Sequence, residues 1–556
     1  MFNVQDVLAL HEAALVFRWL TLDDLKRLRC SRLLRWAVGE FTRGRKYIYR
    51  PRHLASWQSY ALCRRAFGDV DVGLHSVPRL PVLHRLVQIA RIAGASIKVE
   101  LRNPDIQDLV RLFNTCGATL GHVDISSSWG VEGDYSVGHL NPTALLTAGL
   151  GELIGCRSLD LSGHLLVGTG CLARLPLLER LTLRRCQLVE LNRLSSLQSL
   201  VFLDASYNAC LHDRDISGLT GLTDLSLKSC DLRVLTSLAG LTRLERLAIS
   251  DNGGLGEQPG VDPLAPLAGL PSLSDLSIAD CKLQRADVLT DLRSLRVLNA
   301  DRNRFGVVTI PSTLTELDIQ HCMQLRAPRG GLGLLTKLSI AMASTRSIFS
   351  EVSPTIEELR QATTLQALNV SDTALNSQQL ERLLDNKKEI RKLAITGSYV
   401  GGVRLPLASH LTCVNFDCTD LGRALLETLA ARGQPMVLLT ALNLSRQLVH
   451  IQDMAALANA LRLLPALKEI YMARSMGHAD GVQTVLEHAP KDTIIKLNLS
   501  ENSFCANSDL ARHALAGFVK KMHAYENRPT VMISDPDRTP YSIGGPPYAI
   551  VGGPLP

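Results

Sequence analysis

Aromatic residues make up only 4% of this 556-residue chain, although 46% of it is hydrophobic. A core with so few rings has to be filled with Leu, Val, Ile and Ala, which suits thin stacked layers better than one large globular interior. No run of about 18 or more uncharged apolar residues occurs, so a membrane-spanning helix is not expected. The opening MFNVQDVLALHEAALVF has no basic n-region or small-residue cleavage site, and it carries Asp6 and Glu12. Neither a secretory leader nor a mitochondrial transit peptide is therefore expected. CxxC pairs are absent too. The thirteen cysteines, an odd number scattered along the chain, read as reduced thiols of a cytoplasmic or nuclear protein.

Catalytic signatures are missing as well. There is no GxxxxGK[ST], HExxH or GxSxG, and no GxGxxG between a strand and a helix. The fifteen histidines show no ligand spacing. The carboxylate pairs Asp69/Asp71 and Asp535/Asp537 are too sparse to argue for a metal. No catalytic residue, cofactor or metal site is expected, and the chain is not expected to be an enzyme.

The net charge of +7 is unevenly spread. Residues 1–100 hold 17 Lys/Arg against 8 Asp/Glu, an excess of +9 that leaves −2 for the other 456 residues. From Lys26 to Arg52 there are ten basic residues and one acid, Glu40, with Phe41, Tyr47 and Tyr49 interleaved. Aromatics among cations suit nucleic acid. A solvated helix face with a turn at Gly44 explains the same run more simply, so a nucleic-acid partner is not the expectation.

What the chain does have is one line written many times. LERLTLRRC at Leu178–Cys186 returns as LTDLSLKSC at Leu222–Cys230, LSDLSIADC at Leu273–Cys281 and LTELDIQHC at Leu314–Cys322. Asparagine replaces the cysteine in LVFLDASYN (200–208), LERLAISDN (244–252), LRVLNADRN (295–303) and IIKLNLSEN (494–502). Weaker copies include CRSLDLSGH, LTKLSIAMA, LQALNVSDT, IRKLAITGS, LTCVNFDCT, LTALNLSRQ and LKEIYMARS, about sixteen in all from Leu120 onward. Alternation in LxL predicts a short strand with one buried face. A turn follows at the Cys/Asn place, then an apolar return that only a neighbouring copy can bury. A buried Asn there can bond the backbone of adjacent coils, and Cys, small and weakly donating, can replace it. Cys186, Cys230, Cys281 and Cys322 are thus expected to be packing thiols. The sequons at Asn369, Asn443 and Asn498 fall inside predicted strands.

This line resembles the leucine-rich repeat, LxxLxLxxN/C. The resemblance implies an α/β solenoid, a horseshoe with parallel strands on its concave face and a small helical N-terminal cap. Leu159, Leu181, Leu203, Leu225 and Leu247 step by 22, leaving room only for a short return, as in the repeats of a protein-phosphatase regulatory subunit and of bacterial internalins. Leu442, Ile470 and Leu497 step by 28 and 27 and are similar to ribonuclease-inhibitor-type repeats with helical returns. The expected organisation is a helical segment at 1–70, a transition at 71–119, the solenoid at 120–535, closing on a strand near Val531, and a Pro/Gly-rich tail at 536–556.

FRWLTLDDLKRLRCSRLLRWAVGEF (17–41) has helical spacing and also resembles an F-box, with Phe17, Leu20, Leu22, Asp24 and Leu25 in register. Trp36 falls one place late, and the family's leading Leu-Pro is missing, with Leu10-His11 near its place. These helices read either as a cap on the first repeat or as the binding site for a Skp-type adaptor.

The function expected from the repeats is a non-catalytic scaffold that holds a protein partner on the concave face, as a monomer or within a hetero-complex. Exposed positions around each LxL are the candidate contacts. Arg184, Arg185 and Lys228 with Tyr207 form a cationic zone, and Asp251, Asp280, Asp301 and Asp372 an acidic one, which together would orient a dipolar partner. The alternatives are a ubiquitin-ligase substrate receptor and a phosphatase regulatory subunit.

Overall fold

A strand of three residues cannot stand alone; it persists only where neighbours on both sides complete its ladder and bury one face. The computed structural model describes most of residues 70–502 and the short strands Tyr47–Tyr49 and Thr530–Met532. The longer segments outside the described residues are 1–46, 50–69, 127–148, 343–354, 398–409, 503–529 and 533–556. The helical N-terminal segment with Phe17, Leu20, Leu22, Asp24 and Leu25, most of the basic run and the Pro/Gly-rich tail all lie outside them. The chain divides into two units, residues 1–252 and 253–556.

In the first unit, strands Tyr47–Tyr49, Val70–Leu74, Ile97–Glu100, Leu120–Asp124, Ser158–Asp160, Arg180–Thr182, Phe202–Asp204, Asp224–Ser226 and Arg246–Ala248 pair in that order, all parallel. The register sets Leu159, Leu181, Leu203, Leu225 and Leu247 in one line, each at most 3% exposed. Early returns are the helices Leu80–Ala93 and Ile106–Cys116. Where the step is 22, the return shrinks to single 3₁₀ stretches such as Asn192–Ser196 and Thr236–Gly240. Parallel pairing thus starts well before Leu120, in segments whose longer helical returns obscure the repeat. Tyr47–Tyr49 corrects the helical reading of its segment: Tyr-Ile-Tyr has strong strand propensity and pairs with Val70–Val72.

In the second unit, parallel strands run from Asp275–Ser277 through Val297–Asn299, Glu316–Asp318, Lys337–Ser339, Ala367–Asn369, Lys392–Ala394, Cys413–Asn415, Ala441–Asn443, Glu469–Tyr471 and Lys496–Asn498 to Thr530–Met532. The three sequons therefore end strands, and Val531 lies in the closing one. Returns lengthen into helices Thr355–Gln361, Ser377–Leu384, Leu421–Arg432, Met454–Arg462 and Ala479–His488. Asn376 and Gln379 close a capping box on the second of these, which satisfies two orphan donors at its start. Leu298, Leu317 and Leu338 step by only 19 and 21; there the return is partly extended, and Val307–Thr309 pairs in parallel with Ala327–Arg329.

The Cys/Asn place behaves as a hydrogen-bond ladder. Asn208 is fully buried; its Oδ1 accepts from the Cys186 and Leu188 amides at 2.9 and 3.0 Å, and its Nδ2 donates to Leu183 and Ala205 carbonyls at 2.9 and 2.7 Å. Asn252, Asn303 and Asn502 repeat the pattern. The cysteine coils do half of this: the thiols of Cys186, Cys230 and Cys322 donate to the coil before, at the Leu161, Ala205 and Ala300 carbonyls, at 3.3 to 3.5 Å. Even the weak copies hold the place, with His164 Nε2 donating to Ile125 O at 2.7 Å and Ser475 Oγ to Leu444 O at 2.6 Å. Parallel register, the buried LxL line and this ladder make the fold an α/β leucine-rich-repeat solenoid.

Burial pushes the thiols of Cys186 and Cys322 up to about 12 and that of Cys230 to about 11. At pH 8 such a thiol is ionised to about one part in a thousand or less. Native protein treated with iodoacetamide is therefore expected to keep these three unmodified while half-buried Cys413 and Cys418 react first, read by peptide mass spectrometry. Because the folded pKa is raised, the stability these thiols contribute is present below about pH 9 and is lost as pH rises toward 12. Alkylation of Cys186 at the rate of Cys413 would contradict the packing role.

Candidate interaction surface

Most of the three-residue strands bury a central leucine and leave the two flanking side chains partly or fully exposed on a common face. The residue after the central leucine is repeatedly Asp or Asn, for a local reason. Its Oδ1 accepts the amide two residues on: Asp124 from Ser126, Asp160 from Ser162 and Asp204 from Ser206 in the first unit, at 2.9 to 3.0 Å. In the second unit, Asn299, Asn369, Asn415 and Asn443 do the same at 3.0 to 3.2 Å. This Asx turn ends the strand, and it decides what faces outward. Asp leaves a carboxylate oxygen there, whereas Asn leaves an NH₂.

The turn also relocates the sequence-predicted contacts. The residue just before each ladder residue has positive φ, including Arg185 (54°), Tyr207 (64°), Asp251 (61°), Asp280 (50°) and Asp372 (51°). These five sit at the tight left-handed turn that closes the strand edge. Arg184, Lys228 and Asp301 stand one place earlier, between strand and turn. Asp301 is thus not equivalent to the other three aspartates; Arg302 (φ 55°) holds that place in its repeat.

The fold brings the predicted cationic group together. The Arg184 and Arg185 guanidiniums lie 5.2 and 4.9 Å from the centroid of the Tyr207 ring in the next coil. Arg184 also approaches Asp204 Oδ2 at 3.8 Å. Lys228 holds the place of Arg184 two coils on, about 10 Å along the ladder. The sequence reading missed a neighbour: Arg180 stacks on half-buried Phe202 at 3.9 Å, two strand residues before the Asx row. Nothing in one line of sequence pairs Arg180 with Phe202; the 22-residue register does.

The aspartates are not brought together in this way. Asp251 belongs to the first unit. In the second, Asp301 accepts from or pairs with His321 Nδ1 at 3.0 Å and lies 3.8 Å from Arg302. Asp372 Oδ2 accepts from Thr396 Oγ1 at 3.3 Å. Burial raises the Asp160 carboxyl above its ordinary range, with Asp124 and Asp204 adding to the rise against the Ser162 bonds.

The second unit holds a groove of about 550 Å³ along its strand face, spanning the six strands from Val297–Asn299 to Cys413–Asn415. Its walls carry Glu316, Asp318, Lys337 and Lys392 with Asn299, Asn369 and Asn415; Glu316 pairs with Lys337 at 2.6 Å. Among the described residues, no group of three His, Cys, Asp or Glu is placed to hold a metal, and no helix is long and apolar enough to cross a membrane.

No family model matches the chain. Receptor-like protein 41 of Arabidopsis thaliana is 33% identical over 136 residues, which is 22% of this chain and 15% of that protein. The match thus spans under a sixth of that relative's length. Among solved structures, an internalin (InlF) of Listeria monocytogenes is 17% identical with a TM-score of 0.38, over 70% of this chain and 89% of that one. The mouse RP105/MD-1 complex gives 14% identity and 0.39, over 87% and 78%. The Toll–Spatzle complex of Drosophila gives 14% and 0.40, over 84% and 57%.

Proposed function

We propose that the protein is a non-catalytic scaffold that holds a protein partner on its strand faces. The observation that carries this reading is the arginine pair stacked on Tyr207. Tyr and Arg dominate binding hot spots because they bring large contact area or a rigid donor fork at modest entropic cost. Two guanidiniums over one ring also repel each other, and an anionic group of a partner would relieve that repulsion. Arg184, Arg185, Tyr207 and Lys228 are the anchoring group. Asp251, Asp280, Asp301 and Asp372 line turn edges, where Asp301 and Asp372 already have internal partners and so contribute less. The partner is a protein rather than nucleic acid, and the chain works as a monomer or within a hetero-complex in the cytoplasm or nucleus. Affinity purification with mass spectrometry tests the scaffold, and cell fractionation tests the compartment; partners of secretory origin would sink the placement.

A second reading is favoured by the F-box-like register of Phe17, Leu20, Leu22, Asp24 and Leu25. Here those residues bind a Skp-type adaptor and the solenoid presents a substrate to a ubiquitin ligase. Co-purification of such an adaptor, lost on deleting residues 1–60, separates this reading from a plain scaffold. Recovery of a phosphatase catalytic subunit instead would favour the regulatory-subunit alternative.

A further inference from the structure

We infer that the groove of the second unit takes an extended acidic peptide segment of a partner, held by outward-facing amide donors. The inference rests on the reading of the strand face as the binding surface, and it names what that face selects. Asn299 and Asn415 Oδ1 are fixed inward, because a backbone amide donates to each at 3.2 Å and only an oxygen can accept it. Their Nδ2 groups therefore line the groove, and among the described residues neither has a hydrogen-bond partner. Asn369 shows how such an NH₂ reaches across strands, donating to Ser339 Oγ at 3.0 Å and Gln320 Oε1 at 3.3 Å.

Charge points the same way. Glu316 is paired with Lys337, and Asp318 accepts from the Gln320 backbone amide at 3.3 Å and from its side-chain amide at 3.0 and 3.1 Å. Lys392 is exposed and has no ion-pair partner among the described residues. What the groove offers is donors and a cation. Five strand steps separate Asn299 from Asn415, about 24 Å, the reach of about seven extended residues. Backbone carbonyls and carboxylates of such a segment would meet Asn299, Lys392 and Asn415 in turn. At the same place in the repeat the first unit holds Asp124, Asp160 and Asp204, where the groove holds Asn299, Asn369 and Asn415 with one aspartate, Asp318.

That equivalence supplies the test. Asp keeps the Asx turn, as Asp124, Asp160 and Asp204 show, but replaces the outward donor with an acceptor. Full-length N299D/N415D is therefore expected to fold normally, and K392E is a second variant that leaves the turns untouched. The probe is a fluorescein-labelled (Glu-Gly)₆ peptide at low ionic strength, read by anisotropy, with (Lys-Gly)₆ and (Ser-Gly)₆ for comparison. The acidic peptide is expected to bind best, N299D/N415D and K392E each to weaken it tenfold or more at unchanged melting temperature, and R193E, on a return of the first unit, to leave it within twofold. Preference for the lysine peptide, or binding lost in R184E/R185E but kept in N299D/N415D, would overturn the inference. If a partner photo-crosslinks at Ser339 while the acidic peptide fails to bind, this inference falls alone; if no partner crosslinks to any strand-face position, the reading beneath it falls as well.

Discussion

Asn208→Ala is expected to destabilise the first unit by about 3–5 kcal/mol, among the larger effects a single substitution produces. The side chain is fully buried and makes four bonds of 2.7 to 3.0 Å. Alanine leaves the Cys186 and Leu188 amides and the Leu183 and Ala205 carbonyls unpartnered where water does not reach, and it opens a small cavity besides. Asn208→Cys is expected to cost less, because neighbouring coils already use a thiol to satisfy a carbonyl of the coil before. A thiol does not replace the two accepting contacts, so the order should be wild type, then Cys, then Ala. Urea unfolding gives the size of the effect, and hydrogen exchange at the Cys186 and Leu188 amides gives its location. Unchanged protection of those two amides in the alanine variant would remove the ladder from the account of stability.

R184E/R185E is expected to weaken capture of the partner by about 2 kcal/mol or more, roughly thirtyfold. The two side chains share one ring, so reversing both turns an anion-attracting pair into an anion-repelling one beside Asp204. Both are exposed, and losing two exposed cation–π contacts should change folding stability by no more than about 2 kcal/mol. R184K/R185K retains charge but loses the planar fork and its stacking, and an intermediate loss is expected. Binding that survives the double reversal at full strength would move the contact elsewhere on the chain.

Much of this was legible in the sequence for a physical reason. Repetition lets sixteen weak local signals vote for one geometry, so the LxL strand and the Cys/Asn ladder could be read although each strand is only three residues long. The strands before Leu120 were hidden because Val70–Leu74 and Ile97–Glu100 are followed by helices of 14 and 11 residues, which break the period. The turn residues were placed on the strand because most repeats carry no glycine to mark the left-handed turn: Gly163 and Gly397 hold that place in two repeats, but Arg185, Tyr207 and Asp251 hold positive φ without it, supported by the ladder on the next residue. The groove donors were also hidden. Which end of Asn415 faces outward depends on a bond to the Asp417 amide, and strand pattern alone does not specify it.

The central claim, that the strand face is where the partner binds, is tested most directly by site-specific photo-crosslinking. A benzophenone side chain is placed at Thr182, Ser226 or Ser339 on the strand faces, or at Arg193, Ser196 or Gln361 on the returns. Crosslinks to one partner at Thr182 and at least one other strand position, with none at the return positions, are expected. Crosslinks confined to Arg193, Ser196 and Gln361 would contradict the account.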